Sequence, residues 1–136
     1  KHKEQDTYEA PGGHREVGED ILETAKRELQ EETGAARFDI KPICVYSVTG
    51  KNSVNETGEE TFGLLCFAEI TEFSGKLESE IEKVELMNEL PQNWTYPMIQ
   101  PKLIEKYLQI EKQSYSRIQL AAKQTIEYIK NTIKHL

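Results

Sequence analysis

From Asp20 onward, apolar residues fall at Ile21, Leu22, Ala25 and Leu29, the spacing that gathers side chains on one face of a helix. Glu19 and Asp20 stand where a helix N-terminus favours negative charge, and Gly34 stops the run. A helix of about three to four turns is predicted. The pattern then changes. Ile43 to Val48 is rich in β-branched and aromatic residues, Gly50 to Glu59 is polar and turn-rich, and Thr61 to Ile70 is again strand-like. Two strands joined by an exposed loop follow from this. Val84-Glu85-Leu86-Met87 alternates and predicts a short third strand, closed by Leu90-Pro91. Pro101 stands near the start of a last helix whose apolar positions are Ile104, Leu108, Tyr115, Ile118, Ala122, Ile126, Ile129, Ile133 and Leu136. This heptad-like stripe runs for about 30 residues without Gly or Pro, longer than most globular helices. It either folds back on its own domain or meets a helix partner, and Tyr115 and Tyr128 read as packing residues within it.

The length of 136 residues fits one domain with a modest core. A formal net charge of −7 would repel a nucleic-acid backbone, so no duplex nucleic acid is expected as a partner. Cys44 and Cys66 lie in apolar, strand-like stretches without metal or redox spacing and read as reduced core residues. No apolar run is long enough to span a membrane, and the polar start lacks the apolar stretch of a signal peptide. A cytoplasmic protein with no membrane partner is expected.

Within the first helix, Glu28, Glu31 and Glu32 share one arc beside the apolar one. Neighbouring carboxylates repel at neutral pH unless they are well solvated or share a cation. Hard divalent ions such as Mg²⁺ or Mn²⁺ take carboxylate oxygens and bridge to phosphates, so the arc suits phosphoryl chemistry. A merely solvated acidic face would give the same spacing.

The wider pattern separates these readings. Gly13, Glu19, Arg27, Glu28, Leu29, Glu31, Glu32 and Gly34, with Ala35 in the last place, match G-x5-E-x7-R-E-U-x-E-E-x-G-U, where U is a bulky aliphatic or small apolar residue. This segment resembles the signature of the Nudix hydrolases at every position. The lead-in Tyr8-Glu9-Ala10-Pro11-Gly12-Gly13 and the later Leu90-Pro91 and Tyr96-Pro97 also resemble the family. The resemblance implies an α/β fold, an α/β/α sandwich with a mixed sheet, over residues 1–108, followed by a C-terminal helical extension at 109–136.

The same resemblance implies that Glu28, Glu31 and Glu32, joined by the Gly12 carbonyl, bind Mg²⁺ or Mn²⁺. It implies that Arg27 orients the glutamates through a salt bridge and that Glu19 supports the loop. Among Glu78, Glu80 and Glu82, Glu80 is the candidate for a further ligand or base from a later loop. The implied reaction is hydrolysis of a nucleoside diphosphate linked to another group, through water attack on phosphorus. The chain looks closest to bacterial members acting on nucleoside triphosphates, including oxidised guanine nucleotides. An ADP-ribose or nucleotide-sugar hydrolase and a non-catalytic nucleotide-binding or interaction module are the alternatives.

Two departures bear on these expectations. Family domains place two strands ahead of the signature, whereas twelve residues precede Gly13 here, so the front of the sheet is expected to be missing and its edges unpaired. The tail from about Gln109 extends past the usual family end. A homodimer through the C-terminal helix would use it.

Overall fold

The computed structural model describes residues 1, 6–51, 55–77 and 81–134, the last seven of them by their backbone alone. Four elements follow one another: α1 (Ile21–Thr33), β1 (Ala35–Val48), β2 (Thr61–Phe73) and α2 (Gln100–Lys134). This is a mixed α/β chain whose two named strands pair antiparallel, from Ala35 opposite Phe73 to Val48 opposite Thr61.

Local chemistry sets both ends of α1. Asp20 Oδ1 accepts from the Leu22 and Glu23 amides at 2.7 and 3.0 Å, and Glu23 Oε2 accepts from the Asp20 amide at 3.1 Å. This reciprocal box satisfies amides that the first turn leaves without partners. At the other end Gly34 takes φ +71° and donates to the Gln30 carbonyl at 2.8 Å. A side chain is doubly excluded there, because a Cβ would also stand 2.6 Å from the Lys76 carbonyl oxygen. The Gly34 carbonyl accepts from the Ser74 amide at 2.7 Å, tying the end of α1 to the end of β2.

Of the predicted packing stripe on α1, Leu29 is buried at 8 % exposure, Leu22 and Ala25 are half-buried, and Ile21 is exposed. Thr24 and Thr33 are buried as well. Both hydroxyls donate to a carbonyl one turn earlier, which satisfies them inside the fold. Cys44 and Cys66 are free thiols but only half-buried, because the ribbon they lie on is incompletely covered. Burial pushes the Cys66 thiol upward in pKa.

Val84 to Met87 is not a strand. Alternation yields a strand only where an edge and a core receive it, and here Leu86 is 83 % exposed with Val84 and Met87 also exposed. The segment is held instead by side chains and by the parallel bridge of Tyr8 with Trp94 further on.

Residues 1–100 and 101–136 are separate compact units. The described residues of the second, together with Gln100, form one helix of 35 residues. It carries seven Lys or Arg against three Glu, in an acidic protein. Leu108, Tyr115, Ile118, Leu120 and Ile126 are exposed along it. Among the described residues, no helix is long and apolar enough to cross a membrane.

Candidate active site

The loop before α1 folds around one guanidinium. Arg27 donates from Nε and Nη2 to the two oxygens of Glu19, at 2.8 and 3.1 Å, and Nη2 also reaches the His14 carbonyl at 3.1 Å. Its Nη1 donates to Glu28 Oε1 at 2.8 Å and to Glu31 Oε2 at 3.0 Å. One positive group therefore serves three carboxylates and one loop carbonyl. Glu19 gains further donors in the Glu16 amide at 3.1 Å and the Thr24 hydroxyl at 2.8 Å. Arg27 above all, then these two, holds the Glu19 carboxyl at about 2, far below the usual carboxylate range. The same bonds, Glu19 first and Glu28 second, push the Arg27 pKa up.

The glycines bring the loop onto the acidic face. The Gly12 amide donates to Glu32 Oε2 at 2.9 Å. At Gly13 a Cβ would stand only 2.0 Å from Glu28 Oε1 and 2.3 Å from its carboxyl carbon, so glycine leaves the space that this carboxylate occupies. Glu28 is the more enclosed acid, its side chain 14 % exposed against 41 % for Glu31. Gly12, Arg27, Glu28, Glu31 and Glu32 are thus brought into one locality by a loop and one face of α1. Glu80 lies outside the described residues, as does Glu78, while Glu82 pairs with Lys1 at 3.1 Å.

The family model of the NUDIX domain matches residues 1–106. The chain belongs to the Nudix family. No curated protein and no solved structure matches it. Nudix membership carries hydrolysis of a nucleoside diphosphate linked to another moiety, a pyrophosphohydrolase chemistry that generally uses a divalent cation such as Mg²⁺ or Mn²⁺.

The Nudix helix of this chain fits such a cation in kind, since its carboxylates and the adjoining glycine backbone offer hard oxygen donors. Among the described residues, no group of three His, Cys, Asp or Glu side chains is drawn together tightly enough to hold one ion. Arg27 Nη1 takes an oxygen from Glu28 and another from Glu31.

Sequence reasoning did not single out Thr24 or His14, and it noted Tyr96 only as part of the Tyr96-Pro97 resemblance. Thr24 and His14 act through a hydroxyl and a carbonyl on Glu19 and Arg27, which no spacing rule reveals. Tyr96 is raised in pKa first by burial, then by the charges of Glu9 and Glu32, which places its phenol in the electrostatic reach of the acidic face. Gln100 sends Nε2 to the Ala10 carbonyl at 3.4 Å, and its buried Oε1 has no partner among the described residues.

Proposed function

We propose that this Nudix domain hydrolyses nucleoside triphosphates, oxidised guanine nucleotides included, in the presence of Mg²⁺ or Mn²⁺. The observation that supports this most is the assembly of Glu28, Glu31 and Glu32 around Arg27 and the Gly12-Gly13 loop. Glu28, Glu31, Glu32 and the Gly12 carbonyl would hold the cation, which when bound polarises a phosphoryl oxygen and lowers the pKa of a water. Arg27 keeps the carboxylates oriented and does not touch substrate. A glutamate from the set Glu28, Glu31, Glu32 and Glu80 accepts the proton of the attacking water. The water oxygen bonds to phosphorus as the bond to the departing phosphate oxygen breaks.

On this reading residues 1–108 form the Nudix domain, and α1, β1 and β2 belong to an α/β/α sandwich with a mixed sheet. Residues 109–136 form the helical extension, and its exposed stripe of Leu108, Tyr115, Ile118 and Ile126 supports a homodimer. The two free thiols support a reducing, cytoplasmic setting.

Product analysis on a panel of nucleoside triphosphates, ADP-ribose and nucleotide sugars with Mg²⁺ tests the function. Pyrophosphate and a nucleoside monophosphate are expected from a triphosphate. Paired monophosphates from ADP-ribose would transfer the specificity to that class, and nucleotide bound but unconverted would make the chain a binding module. Glu32→Gln should lower the rate by several orders of magnitude while keeping the fold, and an unchanged rate overturns the site.

A further inference from the structure

Tyr8 lies outside the Nudix signature, yet it joins three segments of the chain. Its amide donates to the Asn93 carbonyl at 2.9 Å, and its carbonyl accepts from the Thr95 amide at 2.8 Å. The Thr7 and Thr95 hydroxyls share a hydrogen bond at 2.7 Å, and Asn93 Nδ2 donates to the Asp6 carbonyl at 2.8 Å. Residues 6–8 are thereby stitched to 93–95. The Tyr8 side chain reaches the other way, its hydroxyl donating to Glu85 Oε2. Lys83 pairs with the same Glu85 oxygen at 2.9 Å and lies 5.4 Å above the Tyr8 ring.

Three residues separate this anchor from Gly12, whose amide holds Glu32. Pro11 fixes one backbone angle in the connection, and Gln100 holds the Ala10 carbonyl from the side. A tether so short transmits the position of its anchor, because the chain has little freedom to absorb a shift before Gly12 and Gly13 meet Glu32 and Glu28. The bonds made by the Tyr8 backbone survive loss of the hydroxyl. The bond to Glu85 does not, and only the Lys83 contact with the ring then links residues 83–85 to Tyr8.

We propose that Tyr8 is a positioning residue: through its hydroxyl bond to Glu85 it sets the Gly12-Gly13 loop against Glu28 and Glu32 and so tunes divalent-cation affinity. This rests on the reading of those glutamates as the cation site. The test is Mn²⁺ titration of the full chain followed by electron paramagnetic resonance, well below the melting temperature, for the wild type, Tyr8→Phe, Glu85→Ala and the double variant.

Each single variant should weaken Mn²⁺ binding by about three- to tenfold, below the range for groups touching a ligand directly, because one more step intervenes. The double variant should be no weaker than the worse single, since both remove one bond. A purely structural role would lower the melting temperature and leave Mn²⁺ affinity unmoved. Unchanged affinity in Tyr8→Phe, or additive losses in the double variant, overturns the proposal while the cation site stands. No Mn²⁺ binding by the wild type overturns both. Should Tyr8→Phe fail to fold, Glu85→Ala with an intact circular-dichroism spectrum decides in the same way.

Discussion

Gly13→Ala separates the chemistry of the loop from its stability. The added Cβ would stand 2.0, 2.3 and 2.7 Å from Glu28 Oε1, Cδ and Oε2. Ordinary contact needs about 3.4 Å or more, so the carboxylate must retreat by well over 1 Å. Those atoms end a flexible side chain, so Glu28 can swing aside, and no backbone has to move. The swing breaks the 2.8 Å bond to Arg27 Nη1. Stability should change little: the broken pair is partly solvated, and replacing glycine restricts the unfolded chain, which favours folding by about 0.4–1 kcal/mol. Catalysis tolerates displacement far less, since a misplacement of about 1 Å can cost on the order of a hundredfold in rate. Single-turnover assays with Mg²⁺ alongside thermal melts should show a rate at least tenfold lower and a melting temperature within about 5 °C of the wild type. A Gly13→Ala protein with full rate would refute the assignment of Glu28 to the reacting site. A protein that melts far lower would refute the claim that only a side-chain end is in the way.

Other perturbations test neighbouring parts of the argument. Asp20→Ala removes the acceptor of two first-turn amides and should cost about 1 kcal/mol by urea denaturation, whereas Asp20→Asn should recover most of it. The Glu19 carboxyl is lowered in the folded state from its ordinary 4.5 to about 2, so its ion pair contributes fully above 4.5 and is lost as pH falls towards 2. Melting temperature should therefore decline across that window, and Glu19→Gln should flatten the decline; parallel curves for the two proteins would contradict it. Light scattering should give the full chain a mass twice 15.7 kDa and a version lacking 109–136 the mass of one copy. A monomeric full chain removes the tail from the dimer reading.

The ends of α1 were legible because Asp20 and Gly34 act on their own neighbours, and local chemistry is what a sequence displays most directly. The strands were legible in place but not in extent. Enrichment in β-branched and aromatic residues marked Ile43 to Val48, while β1 begins at Ala35. Register shifts between Ala35 and Arg37, Arg37 and Phe38, and Pro42 and Cys44 interrupt the period, and Pro42 argues against a strand wherever a bulge does not receive it. Val84 to Met87 failed for the opposite reason: its period is regular, but pairing depends on a distant partner that the period does not encode. At the site, spacing gathered Glu28, Glu31 and Glu32 on one arc, yet only coordinates reveal that Arg27 divides one guanidinium among Glu19, Glu28 and Glu31.

The end of α1 bears on why these acids stand together. A helix C-terminus favours Lys, Arg or His, and α1 has no basic residue in its last turn, closing with Glu31 and Glu32. Glu28 and Glu32 are also like charges one turn apart. Such a pair costs about 0.2–0.5 kcal/mol and an acid at the wrong helix end about 0.3–1, so the arrangement is mildly unfavourable for the helix alone. The Asp20–Glu23 capping box, worth about 1 kcal/mol, offsets it at the other end. Helix stability by itself gives no reason to keep the conflict, since one lysine in the last turn would relieve it. A divalent cation reverses its sign, because carboxylates that repel one another become ligands to a shared charge. On the proposed reading, Arg27 would hold the acids in place while leaving the remaining charge for an ion and its phosphate to complete, and this role would tie the local cost in α1 to Nudix chemistry.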